Sequence, residues 1–324
     1  MKRTLVLILA VANFRAYADP TANYETRNEV REFAAAMANR HGFDEATLLV
    51  QFHHARFLPA VIKAILPPAD PGIRSWKTYR ARFVESKRIK AGVKFIDAHR
   101  ATLLRAEKQY GVPAEIIAAI IGVETIYGSH TGSFETFSTL TTLAFDYPPR
   151  AELFRRELEA LLLLARDEGR APESYRGSYA GALGLPQFLP SSVRTYAEDF
   201  NGDGRVDLTD ATDAIGSVAR FLAEHGWQRG APIAAVARLG TATAKDLLAE
   251  GIEPRRSVKE LREMGIDIGS APDQPAALID LVTPGAATEY RLGYRNFYVL
   301  TRYNRSSFYA SAVTDLAMAL RGAL

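Results

Sequence analysis

Apolar positions recur at helical spacing through the first two thirds of the chain. Segment 25–40 (ETRNEVREFAAAMANR) is made of helix formers and stops before His41-Gly42, a plausible helix end. Segment 45–66 predicts a second helix, closed by Pro67-Pro68. A loop is expected over 67–76 (PPADPGIRSW), then basic helical sequence from Lys77 to about Arg105. Segment 112–127 (VPAEIIAAIIGVETIY) has Pro113 at a first-turn position and Gly128 beyond its end. Its apolar residues Ile116, Ile117, Ala119, Ile120, Ile121 and Val123 fall on every face, as in a helix buried within a domain. Residues 150–168 give an amphipathic pattern through Leu153, Leu158, Leu161, Leu162 and Leu164, and 213–226 gives another helix ending at Gly226.

The texture changes near residue 231. Ala234–Ala237 and Ala277–Val282 are short apolar runs bounded by Pro and Gly, which predict strands, with a short helix between them at Ser257–Met264. Glu289–Tyr294 then leads into Phe297–Tyr303 and a last helix over about 306–320. The expected unit over 233–292 is a small α/β insertion, after which the chain returns to the helical body.

Composition adds two constraints. Lys2 and Arg3 precede the apolar run Leu5–Ala12, and Ala16-Tyr17-Ala18 follows, the arrangement of a cleaved export signal over residues 1–18. Its loss takes Lys2, Arg3 and Arg15 from 40 basic residues and none of the 37 acidic ones, leaving the mature chain neutral. A neutral chain gives no reason to expect nucleic acid as partner. With no cysteine there is neither a disulfide nor a lipidated N-terminal cysteine, so no membrane anchor is expected after cleavage. The six histidines form no zinc motif: His53 and His54 are neighbours on a helix and point to different faces.

Three segments carry candidate chemistry. Glu124 is a carboxylate within Ile120-Ile121-Gly122-Val123-Glu124-Thr125; burial there disfavours its charged form, leaving a proton to donate near neutral pH. A glycosidic leaving oxygen needs such an acid. In 177–192 (GSYAGALGLPQFLPSS), small residues around Ser178 permit close approach of a ligand, and Gln187 offers an amide to an N-acetyl or hydroxyl group; a tightly packed turn accounts for the glycines equally well. In 199–213 (DFNGDGRVDLTDATD), Asp199, Asn201 and Asp203 stand at positions 1, 3 and 5 of a calcium loop. Gly204 takes the turn, Arg205 presents its carbonyl and Asp207 falls at position 9. Position 12 is Asp210 rather than a bidentate Glu, so either Asp210 or the later Asp213 closes the loop.

Taken together these motifs resemble the lytic murein transglycosylase B family, glycoside hydrolase family 103. The resemblance runs through Trp76–Val84, Tyr110–Pro113, IIGVET, Phe145–Pro148, GALGLPQFLPSS, the NGDG loop with DAIGSVA, His225–Trp227 and Thr301–Asn304. It implies a mainly α (α+β) fold with a goose-lysozyme-like helical core. The expected division is an N-terminal helical subdomain over 19–98, a catalytic core over 99–232 with an EF-hand-like loop at 199–213, a small α/β subdomain over 233–292, and a C-terminal return over 293–324.

The same resemblance makes Glu124 the sole catalytic carboxylate. It places Ser178, Gln187, Tyr303, Asn304 and, more weakly, Tyr147 along the glycan cleft. It gives a structural Ca²⁺ to Asp199, Asn201, Asp203, Arg205 and Asp213. The implied activity is non-hydrolytic cleavage of the MurNAc-β-1,4-GlcNAc bond of peptidoglycan in the periplasm, leaving 1,6-anhydroMurNAc ends. The alternatives are a hydrolytic muramidase using the same Glu124, and a calcium-dependent glycan-binding protein without catalysis. The chain departs from family members that carry a Tyr at the position of Phe221, which leaves no hydroxyl there.

Overall fold

The computed structural model describes residues 23–66, 74–239 and 244–324. The expected export signal over 1–18 lies outside them, as does most of the expected loop 67–76. The chain is mainly α-helical, as the resemblance implies, and the helices build one large apolar core with a second, smaller one beside it.

The N-terminal helices are α1 (Asn28–His41), α2 (Glu45–His54) and α3 (Pro59–Ile65). The single helix expected over 45–66 is therefore two. Pro59 has no N–H to give the preceding turn and drives Leu58 out of the helical region, to φ −117° and ψ 88°. The basic stretch that follows is three helices: α4 (Trp76–Phe83), α5 (Ser86–Ala98) and α6 (Arg100–Tyr110). Glu85 starts α5 by accepting the backbone N–H of Lys87 and Arg88 at 2.6 and 2.7 Å.

Next comes α7 (Ala114–Thr125), apolar all round and enclosed by helices on several sides. Beyond it lie β1 (Phe134–Glu135), α8 (Thr136–Asp146), α9 (Ala151–Asp167), β2 (Arg176–Gly177), α10 (Pro190–Tyr196) and α11 (Ala211–Glu224). The N-terminal segment is pinned to the end of α8: Tyr24 and Arg27 both donate to the buried Asp146, at 2.6 and 2.9 Å.

The smaller core lies within 235–294. Strands β3 (Ala234–Leu239), β4 (Ile266–Asp267), β5 (Ala277–Leu281) and β6 (Glu289–Gly293) pair antiparallel in the order β4-β3-β6-β5. One sheet face holds Ala237, Leu278 and Leu292 against α12 (Ala244–Ala249) and α13 (Val258–Glu263). On the other, Ala277, Ile279 and Leu281 join the main core, an alternation set by the period of two along β5. The chain then re-enters the main body through α14 (Arg295–Tyr303) and α15 (Ser307–Arg321), which packs along α7. Among the described residues no helix is long and apolar enough to cross a membrane.

Candidate active site

Helix α7 delivers Glu124 in its last turn. The helix then stops abruptly, because Ile126 and Tyr127 take left-handed backbone conformations (φ 51° and 56°) without being glycine. Thr125 fixes this end: its hydroxyl donates to Leu185 O at 3.0 Å and accepts Gly128 N at 3.0 Å. Gly122 is required on the opposite side, since a Cβ there would lie 2.5 Å from the Tyr127 ring and hydroxyl. Glu124 retains partial access to solvent while protein encloses it closely. Burial pushes its carboxyl up to about 7, opposed by the hydroxyl of Tyr309, which donates to Oε1 at 2.7 Å. Among the described residues no other charged group contributes to that shift.

The segment 183–188 forms a wall beside the end of α7, joined to it where Leu185 O takes the Thr125 hydroxyl. Leu183 and Phe188 exchange backbone hydrogen bonds at 2.7 and 3.1 Å, making a tight loop between them. Gly184 turns it at φ 68°, where a Cβ would meet Leu208 at 2.4 Å. Gln187 also has a positive φ, 52°, and its side-chain amide donates to Thr131 O at 3.0 Å and Gly184 O at 2.9 Å. Both protons are thus spent on the fold, and Oε1 is left as an acceptor. Ser178 closes the neighbouring turn: its Oγ accepts Ala182 N at 3.1 Å, which leaves its hydroxyl proton to donate.

Tyr303, the last residue of α14, donates to Pro186 O at 2.6 Å and stacks on Tyr309 with ring centroids 6.2 Å apart. Leu185, Pro186 and Gln187 are therefore held in succession by Thr125, Tyr303 and the Gln187 amide. Around Glu124 stand three tyrosines, Tyr79, Tyr303 and Tyr309. Burial, and then the charge of Glu124, raises each phenol above its ordinary range, so each stays protonated. Asn304 caps α14 with an exposed side chain. Tyr147 is buried in the main core at the end of α8, and among the described residues no hydrogen bond joins it to Glu124, Ser178 or Gln187. Phe221 packs edge-on against Tyr303 at 4.9 Å, part of the apolar backing of this wall.

The loop 199–213 is folded upon its own backbone. Asp199 accepts the N–H of Gly202, Asp203 and Gly204 at 2.7, 3.1 and 2.8 Å. Asp203 accepts Arg205 N at 2.9 Å, and Asp207 accepts Thr209 N at 2.8 Å. The two candidate closing residues part company. Asp210 caps α11, accepting Thr212 N at 2.7 Å. Asp213, in the first turn of α11, points back into the loop and accepts the N–H of Phe200, Asn201 and Asp207 at 2.9, 3.1 and 2.8 Å. Among the described residues no three His, Cys, Asp or Glu side chains converge as a metal cluster. The donor set of an EF-hand-like loop also draws on Asn and backbone oxygens, and those are present in Asn201 and Arg205.

A family model described as "Transglycosylase SLT domain" matches residues 25–318. The membrane-bound lytic murein transglycosylase B of Escherichia coli (strain K12) is 39% identical over 313 residues, covering 92% of this chain and 84% of that protein. The chain belongs to the lytic murein transglycosylases. Solved structures agree with this membership. Soluble lytic transglycosylase SltB1 from Pseudomonas aeruginosa matches with a TM-score of 0.85 at 46% identity, covering 91% of this chain and 99% of that one. The Escherichia coli lytic transglycosylase Slt35, solved in complex with calcium, matches with a TM-score of 0.80 at 38% identity, covering 94% and 98%.

In this transglycosylase Tyr309, at the start of the last helix, is a site residue that no sequence motif singles out. Its only signal was membership of an apolar helix, while its partner Glu124 lies 185 positions away. A hydrogen bond to a carboxylate favours the charged form, so its removal raises the carboxyl further. Tyr309→Phe is expected to move the alkaline limb of the pH–rate profile to higher pH and to slow turnover about tenfold. An alkaline limb that stays in place would show that the bond does not set the proton affinity of Glu124.

Proposed function

We propose that Glu124 serves in turn as the acid and the base of a non-hydrolytic cut between N-acetylmuramic acid and N-acetylglucosamine. The observation that carries this is the buried carboxyl, raised to about 7, which among the described residues has a single hydrogen-bond partner and no second carboxylate coupled to it. Protonated Glu124 gives its proton to the glycosidic oxygen as the C1–O4 bond breaks. Charge developing at C1 is met by the acetamido oxygen of the same muramyl sugar. The Glu124 carboxylate then takes the C6 hydroxyl proton as O6 bonds to C1, closing a 1,6-anhydro ring and restoring the protonated acid. One side chain suffices because the substrate supplies the nucleophile. Product mass tests this: muramyl ends lighter by one water than hydrolytic ends are expected, and ends of full hydrolytic mass would assign the reaction to a muramidase.

Ser178 as donor and the Gln187 oxygen as acceptor would orient the sugar, with Asn304 at the rim. Tyr303 contributes through the Pro186 carbonyl it holds, while Tyr147 has the least support, being buried in the core. The division into segments 19–98, 99–232, 233–292 and 293–324 is part of the same reading, supported by the return of Tyr309 to Glu124. The export signal and a periplasmic site of action fit an enzyme whose relatives process murein, with glycan strands as partner.

A structural calcium ion is assigned to Asp199, Asn201, Asp203, the Arg205 carbonyl and Asp213. The spacing, the inward turn of Asp213 and the calcium complex of Slt35 support it. The ion would tie α11 to the loop preceding it and has no part in bond cleavage. Chelation is expected to lower the melting temperature by about 5 °C or more, restored by Ca²⁺ and poorly by Mg²⁺. An unchanged melting curve would rule the ion out.

A further inference from the structure

Helices α4 and α15 each have a second face in use. Six residues separate Tyr309, which meets Glu124, from Asp315, so the two stand about 9 Å apart along α15 and about 120° apart around it. On α4 the phenol of Tyr79 senses Glu124, whereas the adjacent Arg80 reaches Asp315. Between these faces and the segment joining β5 to β6 lies a groove of about 830 Å³. None of the residues assigned to the glycan cleft lines it.

The groove has a polar floor and an apolar wall. At the floor Asp315 is shared by two guanidinium groups: Arg291 donates to it at 2.6 and 3.1 Å, and Arg80 Nε at 2.6 Å. Arg291 also lies over the fully buried Trp76, 5.4 Å from the ring centroid, and Trp76 donates to Glu289 at 3.2 Å. Three cations, Lys77, Arg80 and Arg291, thus face two carboxylates, Asp315 and Glu289. Arg80 meets Asp315 through Nε, and among the described residues neither its Nη atoms nor the Lys77 amine makes a hydrogen bond to a carboxylate. The wall consists of Ala81, Val84, Ala286, Ala287, Met318 and Ala319, with Met318 67% exposed. Asp315, Met318 and Ala319 share one helix face by their spacing of three and four, so charge and apolar surface are presented together.

Unpaired guanidinium donors select a carboxylate or phosphate. A shallow wall of alanines and one methionine adds room for methyl-sized groups, which a bare polyanion does not need. We propose that this groove binds the peptide stem of a murein strand, its terminal carboxylate on Arg80 and Lys77 and its alanine methyls against Met318 and the alanines. This rests on murein being the substrate, and it gives the enzyme a hold on the stem separate from its hold on the sugar.

The test uses the full mature chain with calcium present and Glu124→Gln to prevent turnover. It is titrated with a synthetic L-Ala-D-Glu-L-Lys-D-Ala peptide, with that peptide's C-terminal amide, and with inorganic phosphate. The free acid is expected to bind about tenfold more tightly than the amide, and more weakly as salt rises. Met318→Glu, at an exposed position, should weaken binding about tenfold, and Lys77→Gln several-fold, with melting temperatures unchanged. In the otherwise wild-type enzyme both substitutions should slow digestion of whole sacculi and leave cleavage of peptide-free glycan strands as it was. Equal binding of acid and amide, phosphate binding as tightly as the peptide, or sacculus digestion untouched by Met318→Glu would each overturn the proposal. Failure of the unsubstituted enzyme on naked strands and sacculi alike would instead count against the reaction assigned to Glu124, and the titration would still judge the groove.

Discussion

Glu124→Gln is expected to release soluble fragments from purified sacculi at least about a thousandfold more slowly than the native enzyme, while glycan binding persists. An amide keeps the size of the side chain and its contact with Tyr309 but can neither give nor take the proton. Both halves of the reaction then fail, because one group serves both. The substitution also reports on the burial that makes the carboxyl an acid. The folded chain holds the Glu124 proton from its ordinary value of 4.5 up to about 7, a range in which the unfolded chain has lost it. Native stability therefore falls as pH rises through that window, and the cost is complete above about 7. The glutamine variant should be more stable to unfolding than the native enzyme above neutrality, by about 2 kcal/mol once partial exposure is allowed for, and the gap should close on acidification. A variant that digests sacculi at the native rate, or a gap independent of pH, would contradict this.

Asp213→Ala should be the most damaging change in the loop, and it should remain so after chelation. The wild-type carboxylate accepts three backbone N–H groups, of Phe200, Asn201 and Asp207. Alanine strands all three at the base of the fully buried Asp213 position, a loss of about 2–4 kcal/mol. Asp210→Ala removes an N-cap from α11 and should cost only about 1 kcal/mol. Urea unfolding of the two variants in chelator gives the comparison. Equal losses would mean that Asp213 does not close the loop as the geometry has it.

Glu124 was legible because it is anomalous: a carboxylate at the end of a run that is apolar on every face has to be explained by burial. The strands β3 and β5 were legible for the same kind of reason, as short apolar runs between turn residues. Helix α8 went unseen. Its TFSTLTTLAFD sequence is rich in β-branched residues, which have modest helix propensity, and nearly all of it is buried, so packing against α9 decides its state. The split between α2 and α3 was written in Pro59, and the continuous apolar texture concealed it. Asp210 and Asp213 could not be ranked by spacing, since both lie at workable distances from Asp199. In the structure the helix start, which occupies Asp210 with capping, separates them. Tyr309 and Tyr79 left no local trace, because what they do depends on contacts between segments far apart in the chain.

Digestion of sacculi in heavy-oxygen water addresses the central claim most directly. If the C6 hydroxyl closes on C1 with Glu124 as its base, the new muramyl ends should carry no oxygen from the solvent, however long the digestion runs. One heavy oxygen per cleaved bond in the first-formed products would show that water is the nucleophile, and would contradict ring closure by the substrate's own hydroxyl.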